Sequence, residues 1–161
     1  MEQEILASFG NRLRVRVCGI CIQDGKILLI KHKNIGETGY LWSPPGGGLK
    51  FGETVETCLK REFLEETNLS IKIERFLFVH EFVEPPLHAI ELFFEVSILK
   101  GTLRLGKDPE MQEKSQILEE IAFLDYLSIL QKPKECLHKV LQKINNIEDI
   151  LKIRSFEEYY T

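Results

Sequence analysis

Apolar and polar positions alternate from Arg12 onward, with Leu13, Val15 and Val17 interleaved by Arg14 and Arg16. A period of two predicts a strand over Arg12 to Ile22. Gln23-Asp24-Gly25-Lys26 supplies a hairpin turn, because Asp-Gly tolerates positive φ. Ile27 to His32 is a nearly continuous apolar run, the pattern of a return strand buried on both faces. Lys33 to Leu41 is polar and glycine-containing, a loop, and leads into Pro44-Pro45-Gly46-Gly47-Gly48. Thr54 to Thr67 predicts the clearest helix, with Glu53, Thr54 and Glu56 near its positive end. Asn68 falls where a left-handed C-terminal residue is expected.

Ile71 to Val83 is β-rich and is broken by Pro85-Pro86. His88 to Leu99 is a further strand, Gly101 a bend before Leu103-Arg104-Leu105, Gly106 to Lys114 an acid-rich loop, and Ile117 to Leu124 another strand. Pro133 suits the first turn of a final helix running to about Ile144. The first eleven residues read as an amphipathic lead-in. Mixed strands with two substantial helices predict an α/β (α+β) layered fold, a single domain over residues 1–161.

A net charge of −4 and a pI near 5.7 argue against broad nucleic-acid or membrane-surface binding, while leaving room for a local basic pocket. No apolar run approaches the roughly 20 residues of a membrane helix. The N-terminus lacks the pattern of a secretory signal, so the expectation is a cytoplasmic protein. Cys18-Gly19-Ile20-Cys21 has the CxxC spelling, but residues three apart on a strand point to opposite faces. With no second CxxC or histidine pair, packed strand cysteines are expected.

The chemistry concentrates in Arg61-Glu62-Phe63-Leu64-Glu65-Glu66. On a helix, Glu62, Glu65 and Glu66 crowd an arc of about 100°, and like charges at that spacing repel. Glu65 and Glu66 also lie near the helix C-terminus, where the macrodipole favours positive charge. A divalent cation resolves both conflicts. Hard cations such as Mg2+ or Mn2+ prefer oxygen ligands, which fits carboxylates without a companion histidine or cysteine.

The spacing Gly47, five residues, Glu53, seven residues, Arg61-Glu62-Phe63, one residue, Glu65-Glu66, one residue, Asn68-Leu69 resembles the Nudix hydrolase signature G-x5-E-x7-R-E-U-x-E-E-x-G-U. The match spans 23 positions, and its one departure is Asn68 in place of the last glycine. The resemblance implies a mixed sheet between helices, and a metal-dependent hydrolase that cleaves a phosphoanhydride in a nucleoside diphosphate derivative. ADP-ribose-like nucleotide sugars, nucleoside triphosphates and dinucleoside polyphosphates all remain open as substrates. It implies Glu62, Glu65 and Glu66 as ligands to Mg2+ or Mn2+, the Gly46 carbonyl in the same shell, and Glu53–Arg61 as an internal ion pair. The general base is Glu62 or an acid of a later loop, with Asp108 or Glu110 favoured as base or extra ligand and Glu113 beside them.

Outside this box, Trp42 and Tyr40 are candidates to stack on a base, although packing is the commoner role of such aromatics. Arg14, Arg16, Lys31 and Lys33 are candidates for phosphate contacts, against surface charge as the commoner role. Arg14 and Trp42 stand as the weak substrate-binding candidates. His32, His80, His88 and His138 show no ligand spacing. A homodimer is possible for such a domain. The alternative to an enzyme is a non-catalytic Nudix-like sensor that binds a nucleotide, and retention of every box carboxylate weighs against it. A diphosphate isomerase on this fold requires a placed cysteine, and Cys58 inside the helix is poorly positioned for that role.

Overall fold

β1, Leu13–Gln23, sorts its side chains onto two faces of a mixed sheet. The computed structural model describes residues 10–35, 38–107 and 116–154. Val17 and Cys21 enter one buried cluster, Cys18 and Ile20 another. The two cysteines of the CxxC spelling therefore lie on opposite faces as free, buried thiols, as expected from the strand period.

β2, Lys26–Lys33, returns through Asp24 and Gly25, both at positive φ (51° and 71°). Ile27, Leu28, Leu29 and Ile30 are wholly buried because both faces of the sheet are covered, Ile27 and Leu29 entering one cluster and Leu28 the other. β3, Tyr40–Ser43, pairs with β2, and β7, Leu118–Leu124, pairs along it as well. β4 is the three-glycine strand Gly46–Gly48, laid antiparallel on β1 with Arg16 opposite Gly48 and Cys18 opposite Gly46. β5, Leu69–Glu84, and β6, Leu87–Gly101, form a long hairpin that turns at Pro85-Pro86. β6 runs parallel to β1 from the Leu13–His88 pair to the Cys21–Val96 pair.

Helix α1, Val55–Thr67, packs Cys58, Leu59 and Phe63 against the face that carries Val17 and Cys21. Thr54 caps it, its hydroxyl accepting from the Thr57 amide at 3.1 Å. Asn68 ends it at φ 61°, the left-handed position expected of it, and its Nδ2 donates to the Thr102 carbonyl at 2.9 Å. Asn68→Ala is therefore expected to cost about 1 kcal/mol or more, since alanine is strained there. Asn68→Gly should be close to neutral, with relieved backbone strain offsetting the lost side-chain bond. Urea denaturation of the two variants checks the difference, and equal losses would contradict it.

The opposite face corrects one expectation. No single helix runs from Pro133 to Ile144. A short helix α2, Tyr126–Leu130, is followed by 3-10 turns at Lys134–Cys136, Lys139–Leu141 and Ile147–Lys152. The chain is extended at Leu137 (φ −111°, ψ 136°), where it bridges to Trp42 of β3, and the His138 amide donates to the Trp42 carbonyl at 2.9 Å. Pairing with a sheet edge takes the backbone groups that a helix would use. Val140, Leu141, Ile144, Ile147 and Ile150 still fill the core on that side, so the sheet is covered on both faces. Among the described residues no helix is long and apolar enough to cross a membrane.

Candidate active site

Arg61 organises the acidic run. Its Nε and Nη2 meet Glu53 Oε1 and Oε2 at 2.8 and 2.9 Å, a fork-to-fork pair across the loop that precedes α1. Nη1 donates to Glu62 Oε1 at 2.6 Å and to Glu65 Oε2 at 3.0 Å, while Nη2 also reaches the Gly48 carbonyl at 3.3 Å. One guanidinium thus ties glycine strand, loop and helix together. Its hydrogen bonds hold the Glu53 carboxyl down at about 2.

The glycines of β4 make room for the helix carboxylates. A Cβ on Gly47 would run into the Glu62 carboxylate, and one on Gly46 into the backbone of β1. Glu62 and Glu66 are buried, and both line one cleft together with Arg14 and Arg16 of β1. Glu66 Oε2 accepts from the Gly46 amide at 2.9 Å. Burial pushes the Glu62 carboxyl up, against the pull of Arg61 and Arg16.

The inner wall of the cleft contains groups that the sequence did not bring together. Glu91 of β6 is 3% exposed and is the cross-strand partner of Arg16. Its Oε2 lies 3.0 Å from His80 Nδ1 and 2.8 Å from His138 Nε2, and its Oε1 lies 3.4 Å from Arg16 Nε. Burial opposes its charge, but His138, His80 and Arg16 together hold the carboxyl below the usual range. Ile35, Leu41, Phe82, Leu87 and Ile117 give the cleft an apolar side.

Two groups invite a metal test. Among the described residues, the three side chains whose ligand atoms all lie within 4.8 Å of one another are His80, Glu91 and His138. Their hydrogen bonding does not suit a cation. His138 Nδ1 accepts from the Val140 amide at 3.4 Å, which places the ring proton on Nε2, facing Glu91. A metal on Nε2 would turn Nδ1–H against that amide, and would stand beside the Arg16 guanidinium as well. The box carboxylates suit a hard cation better: three acids, Glu53, Glu62 and Glu65, share one guanidinium, and a fourth, Glu66, has the Gly46 amide as a donor. Arg61 holds both Glu62 and Glu65, and of the box acids Glu62 and Glu66 line the cleft.

The remaining sequence candidates fall out as follows. The Gly46 carbonyl accepts from Arg16 Nη2 at 3.1 Å, which occupies one of its two lone pairs. Trp42 is 2% exposed within the core, with the Lys132 ammonium 4.4 Å from its ring centroid. This corrects its candidacy to stack on a base. Tyr40 lies under Lys31 Nζ at 4.7 Å, and Lys31 pairs with Glu119 on the sheet. Cys58 is buried behind Gly48, its thiol pushed up to about 12 by burial and by Glu62, an environment unsuited to the nucleophile of an isomerase. Asp108, Glu110 and Glu113 lie outside the described residues. Glu91, His80 and His138 were missed as site residues; the available signal was an acid between Ala89 and Phe93 on the inward register of β6.

Buried and paired groups set an acid response. Burial lowers the His32 imidazole from 6.5 to about 4, so below pH 6.5 the unfolded chain binds a proton that the native one refuses. Its contribution to stability therefore falls between pH 6.5 and 4. The contribution of Glu53 is complete above its ordinary 4.5 and is lost as pH falls through about 2. The urea midpoint should thus decline from pH 6.5 downward in two overlapping stages, with His32→Gln weakening the upper one, to which His80, also lowered by burial, still contributes. A flat midpoint from pH 6.5 to 4.5 in the unmodified protein would contradict this.

The fold is a mixed sheet carrying a capped helix whose paired carboxylates lie beside a glycine strand and two arginines. The NUDIX domain family model matches residues 10–138, and the chain belongs to the Nudix family. An ADP-ribose pyrophosphatase of Methanocaldococcus jannaschii is 40% identical over 101 residues, 62% of this chain and 59% of that protein. The phosphatase NudJ of Escherichia coli is 32% identical over 85 residues, 48% of this chain and 54% of that protein. The chain thus aligns with less than two thirds of the length of either relative. The crystal structure of a MutT NUDIX hydrolase from Burkholderia pseudomallei superposes with a TM-score of 0.58 at 27% identity, over 76% of this chain and 88% of that one.

Proposed function

We propose that this chain hydrolyses a phosphoanhydride bond in a nucleoside diphosphate derivative of the ADP-ribose kind, with Mg2+ or Mn2+ held by Glu62, Glu65 and Glu66. The observation that carries the reading is the meeting of Glu62 and Glu66 with Arg14 and Arg16 in one cleft, acids for a cation beside cations for a polyphosphate. The similarity to a pyrophosphatase named for ADP-ribose supports the substrate class. When bound, the ion supplies Lewis acidity and an activated water. Arg14 and Arg16 take the diphosphate charge, and the side formed by Phe82, Leu87 and Ile117 takes the apolar body of the nucleoside. The Glu53–Arg61 pair holds the glycine strand against the helix so that these groups keep their places. Glu62, whose carboxyl is pushed up by burial, is one candidate base, and Asp108 and Glu110 are its rivals.

A substrate panel tests this: ADP-ribose, nucleoside triphosphates and dinucleoside polyphosphates, each with Mg2+, Mn2+ or EDTA, alongside Asp108→Asn and Glu110→Gln. ADP-ribose-type compounds should show the highest kcat/KM, and only with metal. No turnover of any class would overturn the reading. Unchanged rates in both loop variants would remove those acids as bases.

A further inference from the structure

A fully buried carboxylate is costly to a fold, and replacing such a group and its partners with apolar residues is often neutral or stabilising. Glu91 is nonetheless buried on the core side of β6, accepts from His80 Nδ1 and His138 Nε2, and pairs with the Arg16 guanidinium, whose Nε lies 3.4 Å from Oε1 and makes no hydrogen bond of its own among the described residues. The two histidines converge on one oxygen, Oε2, which leaves Oε1 turned toward Arg16. Of its three partners, Arg16 is the one that bonds the glycine strand: Nη2 donates to the Gly46 carbonyl at 3.1 Å. In register it stands between Glu91 on one side and Gly48 on the other. Gly48 offers no side chain to obstruct or pair with the guanidinium, which is held between the Gly46 carbonyl at Nη2 and the Glu91 carboxylate beside Nε. An arginine fork recognises phosphate oxygens only when its plane is fixed.

We propose that Glu91 is a positioning residue: with His80 and His138 holding its carboxylate, it fixes the Arg16 guanidinium over the glycine strand to receive the substrate's diphosphate. The idea rests on the proposed phosphoanhydride substrate but does not require turnover, because the contact with Arg16 is made on binding. Arg14 lines the same cleft two residues earlier on β1, and its register partner on β6 is Ala89.

The test is a double-mutant cycle in the full chain, reading the Kd of the non-hydrolysable α,β-methylene analogue of ADP-ribose by calorimetry, with KM and kcat for ADP-ribose alongside. Arg16→Ala should weaken binding about 30-fold, the scale of a lost charge-assisted contact to phosphate. Glu91→Gln should weaken it about 10-fold, and the double variant should be no weaker than Arg16→Ala alone, since groups that act through one another are non-additive. Arg16→Lys should not restore affinity, because an ammonium lacks the fork. If Glu91→Gln does not fold, His80→Gln and His138→Gln release the carboxylate more gently and should show the same non-additivity with Arg16→Ala. Multiplying effects, or a Glu91→Gln protein with a lowered thermal midpoint and unchanged Kd and KM, would overturn the proposal. Analogue binding with the predicted coupling but no cleavage of ADP-ribose would defeat the hydrolase reading alone. Failure of the unmodified chain to bind the analogue would defeat both.

Discussion

Glu66→Gln is expected to lower turnover by about 10³-fold, the scale of removing a group that stabilises transition-state charge, with the thermal midpoint nearly unchanged. The two effects separate because of how Glu66 is held. Its Oε2 accepts from the Gly46 amide at 2.9 Å inside the protein, and a glutamine carbonyl can keep that bond. What the substitution removes is the negative charge, at a buried position that opens on the cleft. Affinity for Mn2+, read by titration calorimetry, should fall with the rate. A variant that retained more than a tenth of the rate at saturating Mn2+ would exclude Glu66 as a ligand.

Arg61→Ala should produce the largest loss of stability, about 3 kcal/mol, the low end for removing one partner of a buried charge network. The low end applies because the Arg61 side chain keeps 21% of its surface exposed. Its removal leaves Glu53, Glu62 and Glu65 unpaired and unties the Gly48 carbonyl. If the carboxylates bind a divalent ion, saturating Mn2+ should restore part of the loss, because a ligand of the native state stabilises it by mass action. Urea denaturation with and without Mn2+ measures both quantities. A loss under 1 kcal/mol would show that the network is ornamental to the fold, and a loss untouched by Mn2+ would argue against a cation at these acids.

Most of the sheet was legible because its strands are half-buried and alternate, or fully buried and continuous, and each pattern has a direct physical reading. The box helix was legible to its ends: Thr54 and Asn68 perform the capping that their chemistry suggests. The acidic run also announced itself, since three carboxylates near a helix C-terminus conflict with local electrostatics unless something compensates. The final helix was misread because Pro133 and the apolar residues after it satisfy a helical pattern locally, whereas Leu137 and His138 are claimed by the edge of β3. That is a tertiary override of a local preference. The Glu91 network was illegible for a related reason. His80, Glu91 and His138 come from β5, β6 and the C-terminal segment, and only the parallel pairing of β1 with β6 sets Glu91 beside Arg16. Trp42 looked available from its place beside the glycines, yet its strand turns it into the core.

The most direct test of the central claim is cleavage of ADP-ribose in ¹⁸O-water, with Mn2+ or EDTA, followed by mass analysis of the products. Attack of water on one phosphorus breaks the P–O–P link and yields AMP and ribose 5-phosphate, with one ¹⁸O in one of the two phosphates. The account predicts that outcome with Mn2+ and none with EDTA. Binding of ADP-ribose without any cleavage in Mn2+ or Mg2+ would contradict it and make the chain a nucleotide-binding module.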